Sequence, residues 1–148
     1  MVLQKKYVFT LIGALFIAMI NNVYAEKSKD YGDYIVHYNA FTTDVLQAEI
    51  AKQYQIKRSK NRAMINISIL KKNDNNSAVT AKVSGTASNL TGQLKNLNIK
   101  EIKEGKAIYY ISDFSVANRE TLDFSVDIKV DGKDKPLKVT FRQQFFTR

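Results

Sequence analysis

Leu122-Asp123-Phe124-Ser125-Val126-Asp127-Ile128-Lys129-Val130 places an apolar side chain at every second position and a polar one between. Only an extended chain brings positions i, i+2 and i+4 to one side, so this stretch is a strand with one face in a core and one toward water. On its C-terminal side Asp131-Gly132-Lys133-Asp134-Lys135-Pro136 turns the chain. Leu137, Val139, Phe141, Gln143 and Phe145 then repeat the pattern as a last strand. Pro136 stands at that strand's entrance, where a missing N–H disturbs no ladder.

Working toward the N-terminus, the same period recurs. Ala107 to Val116 holds Ile108, Tyr109, Tyr110 and Ile111 in succession, the composition of a strand covered on both faces. Leu94 to Lys103 alternates less perfectly and is expected as one strand. Ala63, Ile65, Ile67 and Ile69 share a face within Ala63–Lys71; the cluster Asn73–Ser77 follows, then Val79, Ala81 and Val83, which together predict a β-hairpin. Tyr34 to Phe41 sets Tyr34, Val36 and Tyr38 against Ile35, His37, Asn39 and Phe41. One segment departs from period two: Leu46, Ile50 and Tyr54 fall four residues apart, with Asp44 expected to cap a short helix that has Gln47 at its third position. About seven strands and one short connecting helix predict an all-β fold, an antiparallel β-sandwich of immunoglobulin-like type. A small membrane barrel would alternate similarly, but the helical segment and the shortness of most strands weigh against it.

The 148-residue chain opens on a different kind of segment. Lys5 and Lys6 precede an apolar run from Val8 to Ile20, too short to span a bilayer, which Asn21 and Asn22 end. Val23-Tyr24-Ala25 offers small side chains where a signal peptidase needs them, so residues 1–25 are expected to be a cleaved signal peptide and 26–148 one domain. The expected location is the periplasm. With 23 Lys and Arg against 14 Asp and Glu the net charge is +9, and losing Lys5 and Lys6 lowers the excess to seven. There is no Cys, which excludes a disulfide framework, a thiolate metal site, a thiol nucleophile and lipid attachment to a new N-terminal Cys. Packing alone must hold such a domain, and its length suffices for a real core.

Four separated motifs, Gly32–Phe41, Arg58–Ala63, Asn89–Gln93 and Ala107–Ile111, resemble those of a small family of secreted proteobacterial proteins classed as a domain of unknown function. The resemblance covers essentially residues 26–148. It implies a periplasmic β-sandwich of this length, and no activity, cofactor or site residue.

The residues themselves offer three candidate sites. His37 is the single imidazole, the one side chain whose ordinary pKa lies near neutrality. A hydrolase built on it would need a nucleophile, an orienting carboxylate such as Asp33 or Asp113, and an oxyanion site. A packing histidine with one hydrogen bond needs none of these and is the favoured reading. Metal chemistry has little to draw on, since His37 and Met64 do not form a cluster by spacing, and no cofactor is expected. Lys57-Arg58-Ser59-Lys60-Asn61-Arg62 carries four cations in six residues. It is either a solvated loop or an anion-binding patch of Lys57, Arg58, Lys60 and Arg62, for which lipid headgroups, acidic glycans or acidic protein surfaces are the envelope candidates. Nucleic acid is an improbable partner after export. Lastly, Tyr34 and Tyr38 on a first strand that could lie at a sheet edge form a candidate aromatic binding strip. A non-catalytic binding or accessory module is favoured over a His37 hydrolase or a structural subunit that associates through edge strands.

Overall fold

The computed structural model describes residues 26–148, and the apolar N-terminal segment with its expected cleavage site lies outside them. The strands run β1 Lys27–Asp30, β2 Tyr34–Thr42, β3 Arg62–Lys71, β4 Ser77–Ala78, β5 Ala81–Asn89, β6 Leu94–Leu97, β7 Lys100–Glu104, β8 Ala107–Ser115, β9 Thr121–Val130 and β10 Leu137–Gln144, with a helix α1 at Ala48–Gln53. They form two antiparallel sheets: β1-β2-β3-β8-β7 with β4 paired to β3, and β10-β9-β5-β6. This is the expected antiparallel β-sandwich, with open edges and no barrel closure.

Along β9 the decisive alternation becomes burial. Leu122, Phe124, Val126, Ile128 and Val130 are all within the core, while the residues between them are partly or fully open to solvent. Facing them across the gap are Val36, Ala63, Ile65, Ile67 and Ile69 of β2 and β3. Each Val, Leu, Ile or Phe among them removed from water contributes ~2 kcal/mol before chain entropy is counted. Phe124 stacks on Phe141 at 4.6 Å between ring centroids and meets Phe145 edge-on at 6.4 Å, so aromatic geometry locks β9 to the last strand.

The first sheet is also covered on its outside. Phe41, Met64, Tyr109 and Ile111 turn away from the sandwich interior and pack with Leu46, Ala51 and Ile56 of the segment that joins β2 to β3. That second cluster explains why Ile108 to Ile111 carries no polar position: Tyr109 and Ile111 face α1, while Tyr110 faces the second sheet.

Several sequence expectations change here. Leu94–Lys103 is two strands, because the chain crosses between sheets at Asn98-Ile99: β6 pairs with β5 and β7 with β8. The hairpin after β3 closes only over Ser77 and Ala78, since Val79 and Thr80 carry the chain across and β5 pairs instead with β9. With β1 added, ten strands stand among the described residues where about seven were expected. Asp44 does not cap α1; it lies in a 3-10 turn at Thr43–Val45, and the N-cap is Gln47 without a side-chain bond. Two residues between that turn and α1 leave the Asp44 carboxylate too far along the chain to reach the first helical N–H groups.

Candidate functional site

The strand registers sort the connections onto two ends. Thr42 pairs with Ala63, Arg62 with Ser115, and Asn89 with Leu122. The connections 43–61, 90–93 and 116–120 therefore share one end with the segment after Gln144. The opposite end gathers 31–33, 72–76, 105–106 and 131–136.

The two ends differ in charge and in surface. In number, Lys72, Lys106, Lys133 and Lys135 in the connections of the second end are balanced by Asp33, Asp74, Asp131 and Asp134, whereas those of the first carry Lys52, Lys57, Arg58, Lys60, Arg119 and Arg148 against Asp44, Glu49 and Glu120. At the first, Lys57, Arg58, Lys60 and Arg119 are exposed and, among the described residues, none is in an ion pair. All four large hydrophobic side chains that remain exposed in the described residues also lie at this first end: Val45 at 50%, Leu90 at 67%, Leu94 at 71% and Phe146 at 54% exposure.

The basic loop is held in shape from beneath. Thr43, fully buried, donates its hydroxyl proton to the Lys57 carbonyl at 2.7 Å and accepts the Ser59 N–H at 3.0 Å. Arg58 donates to the Asp44 carbonyl at 3.0 Å, and the Val116 N–H donates to the Asn61 carbonyl at 2.9 Å, tying the loop to the 116–120 connection. Arg62 is the exception within the candidate patch, because its guanidinium is engaged by Asp113, with Nε at 3.1 Å from Oδ2. The cations left for a partner are Lys57, Arg58 and Lys60, joined by Arg119 from the neighbouring connection.

The 116–120 connection is itself pinned. Glu120 accepts the Ala117 N–H at 2.8 Å and pairs with Lys95 at 3.0 Å. Burial pushes the Glu120 carboxyl up, but the Ala117 N–H and the Lys95 ammonium outweigh it and leave its pKa below the ordinary value. At the 90–93 tip the Asn89 carboxamide oxygen accepts from the Thr91 N–H, the Thr91 hydroxyl and the Gln93 N–H at 2.8–3.1 Å. The tip is thereby fixed with Leu90 outside it.

The other candidate residues sit elsewhere. Tyr34 is buried at 9% exposure in the interior between the sheets, and Tyr38 packs on Phe141 at 4.9 Å. Their strand is not an edge, because β1 covers it, so these tyrosines form no outer strip. His37 is on the outer face of the first sheet, half-buried, with Nδ1 at 3.3 Å from Glu26 Oε1. Among the described residues no hydroxyl is hydrogen-bonded to it, and no group of three His, Cys, Asp or Glu converges on a metal-sized space. Met64 is fully buried under α1. Sequence reasoning missed Leu90, Leu94, Val45, Phe146 and Arg119; the one signal available was an apolar Leu90 inside the polar turn Asn89–Gly92.

These features define a small antiparallel β-sandwich whose distinctive surface is one basic, partly apolar end. Residues 28–148 match the family model described as domain of unknown function DUF4426, and the chain belongs to that family. It is similar to the crystal structure of a DUF4426 family protein from Pseudomonas aeruginosa PAO1, with 32% identity, TM-score 0.71, and coverage of 82% of this chain and 94% of that one. It is also similar in fold to FetP of uropathogenic Escherichia coli strain F11, with 11% identity, TM-score 0.60, and coverage of 84% and 95%. A copper-bound variant of FetP gives 11% identity, TM-score 0.59, and coverage of 82% and 95%. No curated protein matches the chain. Among the described residues, no helix is long and apolar enough to cross a membrane.

Proposed function

We propose that this protein is a non-catalytic periplasmic binding or accessory module, exported with a cleaved signal peptide, that engages an anionic envelope component through the end bearing the basic loop. The observation that carries this reading is the asymmetry between the ends: balanced charge at one, and at the other an excess of cations over Asp44, Glu49 and Glu120 that includes Lys57, Arg58, Lys60 and Arg119, on backbone fixed by Thr43 and Glu120. A fixed array of cations gains more from an anion than a mobile one, since less side-chain and loop freedom is lost on binding. Export is supported by the pattern of residues 5–25. The copper of the FetP variant is not carried over, because 11% identity is a likeness of fold.

The two competing readings have less support. A hydrolase needs His37 beside a nucleophile, and its neighbour is Glu26. An edge-strand subunit needs edges that invite pairing, yet lysines occupy all four: Lys27 and Lys29 on β1, Lys100 and Lys103 on β7, Lys95 on β6 and Lys138 on β10.

The test is retention on a sulfated-polysaccharide matrix along a salt gradient. The protein is expected to elute at clearly higher salt than the variant Lys57→Ala/Arg58→Ala/Lys60→Ala, whereas Lys133→Ala/Lys135→Ala at the opposite end leaves elution unchanged. Coelution of the loop variant with the unaltered protein would overturn the reading.

A further inference from the structure

The apolar half of the basic end remains to be explained. Val45, Leu90, Leu94 and Phe146 come from three separate segments, Leu90 and Leu94 sharing the β5–β6 turn, and they are the whole of the exposed large hydrophobic surface among the described residues. Leu90 stands on a turn tip stiffened by Asn89, Val45 on a 3-10 turn beside the basic loop, and Phe146 beyond β10. Single exposed hydrophobics are ordinary when scattered, but these four are not scattered, and they share their end with the unpaired cations.

We propose that this end docks on the surface of an anionic lipid bilayer, with Lys57, Arg58, Lys60 and Arg119 at the level of the phosphates and Leu90, Val45 and Phe146 entering the headgroup–acyl boundary. The inference rests on the reading of the basic loop as an anion site and names the anion. Cations beside protruding apolar tips are what an interface asks for: phosphate outside, hydrocarbon a few ångströms further in. An acidic glycan would satisfy the cations and leave the leucines in water. An acidic protein would need a separate pocket for each tip, whereas a bilayer closes around any of them. The opposite end, charge-matched and without an exposed large hydrophobic side chain, faces away.

The experiment is vesicle co-sedimentation with the exported protein, once its mass shows that residues 1–25 are gone, so that their apolar run cannot insert. The vesicles are phosphatidylcholine alone, or phosphatidylcholine with roughly one third phosphatidylglycerol. Binding is expected only to the anionic vesicles and is expected to weaken with salt. Lys57→Ala/Arg58→Ala/Lys60→Ala lowers partitioning about a hundredfold, from about fivefold per cation. Leu90→Ser/Phe146→Ser lowers it about tenfold at unchanged salt dependence. Both variants alter only exposed side chains, and a circular-dichroism melt matching the unaltered protein accompanies each. Equal binding to both vesicle types, or no loss in Leu90→Ser/Phe146→Ser, overturns the proposal. Retention on the polysaccharide without binding to vesicles removes the lipid and leaves the anionic reading intact; failure on both removes the two together.

Discussion

Tyr110→Phe tests the joint between the two sheets. The Tyr110 ring is buried in the sandwich interior, and its hydroxyl reaches across from β8 to accept the Ala81 N–H, the first amide of β5, at 2.8 Å while donating to Glu101 at 2.9 Å. Phenylalanine keeps the ring, so no cavity opens and the loss is polar only. A net contribution of about 1 kcal/mol attaches to an ordinary hydrogen bond, and about 2 kcal/mol to one with a charged partner. Glu101 has Lys103 at 3.5 Å and solvent within reach, so most of the charged bond is recovered elsewhere. The Ala81 N–H has no such recourse, and the expected cost is about 2 kcal/mol. With a urea slope of about 1.5 kcal/mol/M, the midpoint moves down by about 1.3 M with the slope unchanged. The same hydroxyl supplies a pH signature. Burial first, and the Glu101 carboxylate after it, push the phenol from 10.0 up to about 12 against the lowering effect of the Ala81 N–H. A group bound more tightly to its proton in the folded form stabilises the fold below its unfolded pKa. That contribution is therefore complete below pH 10 and lost as pH rises through about 12. The unaltered protein should lose stability over this window more steeply than Tyr110→Phe, in which the other alkaline titrations are retained. A midpoint shift below about 0.3 M, or identical alkaline limbs, would refute the inter-sheet bond as described.

Three further outcomes are expected. Gly85→Ala brings a Cβ to 2.9 Å from the Ser125 carbonyl oxygen and 3.1 Å from a Val126 methyl, and backbone cannot yield cheaply there, so urea titration should show a loss of about 1–3 kcal/mol. Glu120, held below its ordinary 4.5, stabilises the fold above that pH and ceases to as pH falls through its lower folded value, so the acid limb of the stability curve should flatten in Glu120→Gln. Thr43→Val fills the same space without its bonds to Lys57 and Ser59, and hydrogen exchange should show the Ser59 amide losing protection while Val126 in β9 keeps its own.

The strands that face one core on one side were legible because burial itself imposes period two. β9 satisfies that condition along its whole length and β3 does from Ile65 to Ile69, and there the alternation maps residue by residue onto the interior; Met64 departs from it because α1 covers the other face. Where the chain changes sheets the period does not change, which is why Leu94–Lys103 read as one strand: Leu97 and Ile99 keep the alternation although their neighbours belong to opposite layers. β1 carried no apolar signal because its side chains, all four exposed, are Lys, Ser, Lys and Asp, and it joins the sheet by its backbone ladder to β2 and by polar contacts such as Asp30 with Lys72. The missed β1 also misplaced Tyr34 and Tyr38, since a strand taken for an edge is a covered one.

The basic end shows the opposite limit. Charge is local in sequence, so Lys57, Arg58 and Lys60 could be singled out by their spacing. Their pairing is not local: Arg62 belongs to Asp113, fifty-one residues away, and only the register of β3 with β8 reveals it. The apolar half is harder still, because an exposed leucine and a buried one are the same letter. Leu90 and Leu122 differ by the Asn89–Leu122 pairing, which leaves one just past the ladder's end and the other within the core. A hydrophobic residue that fails to enter the core can be recognised only after the core has been assembled. For this fold that means after β5, β9 and β10 have been aligned to show that Leu90 and Phe146, fifty-six positions apart, end on the same side as the lysines.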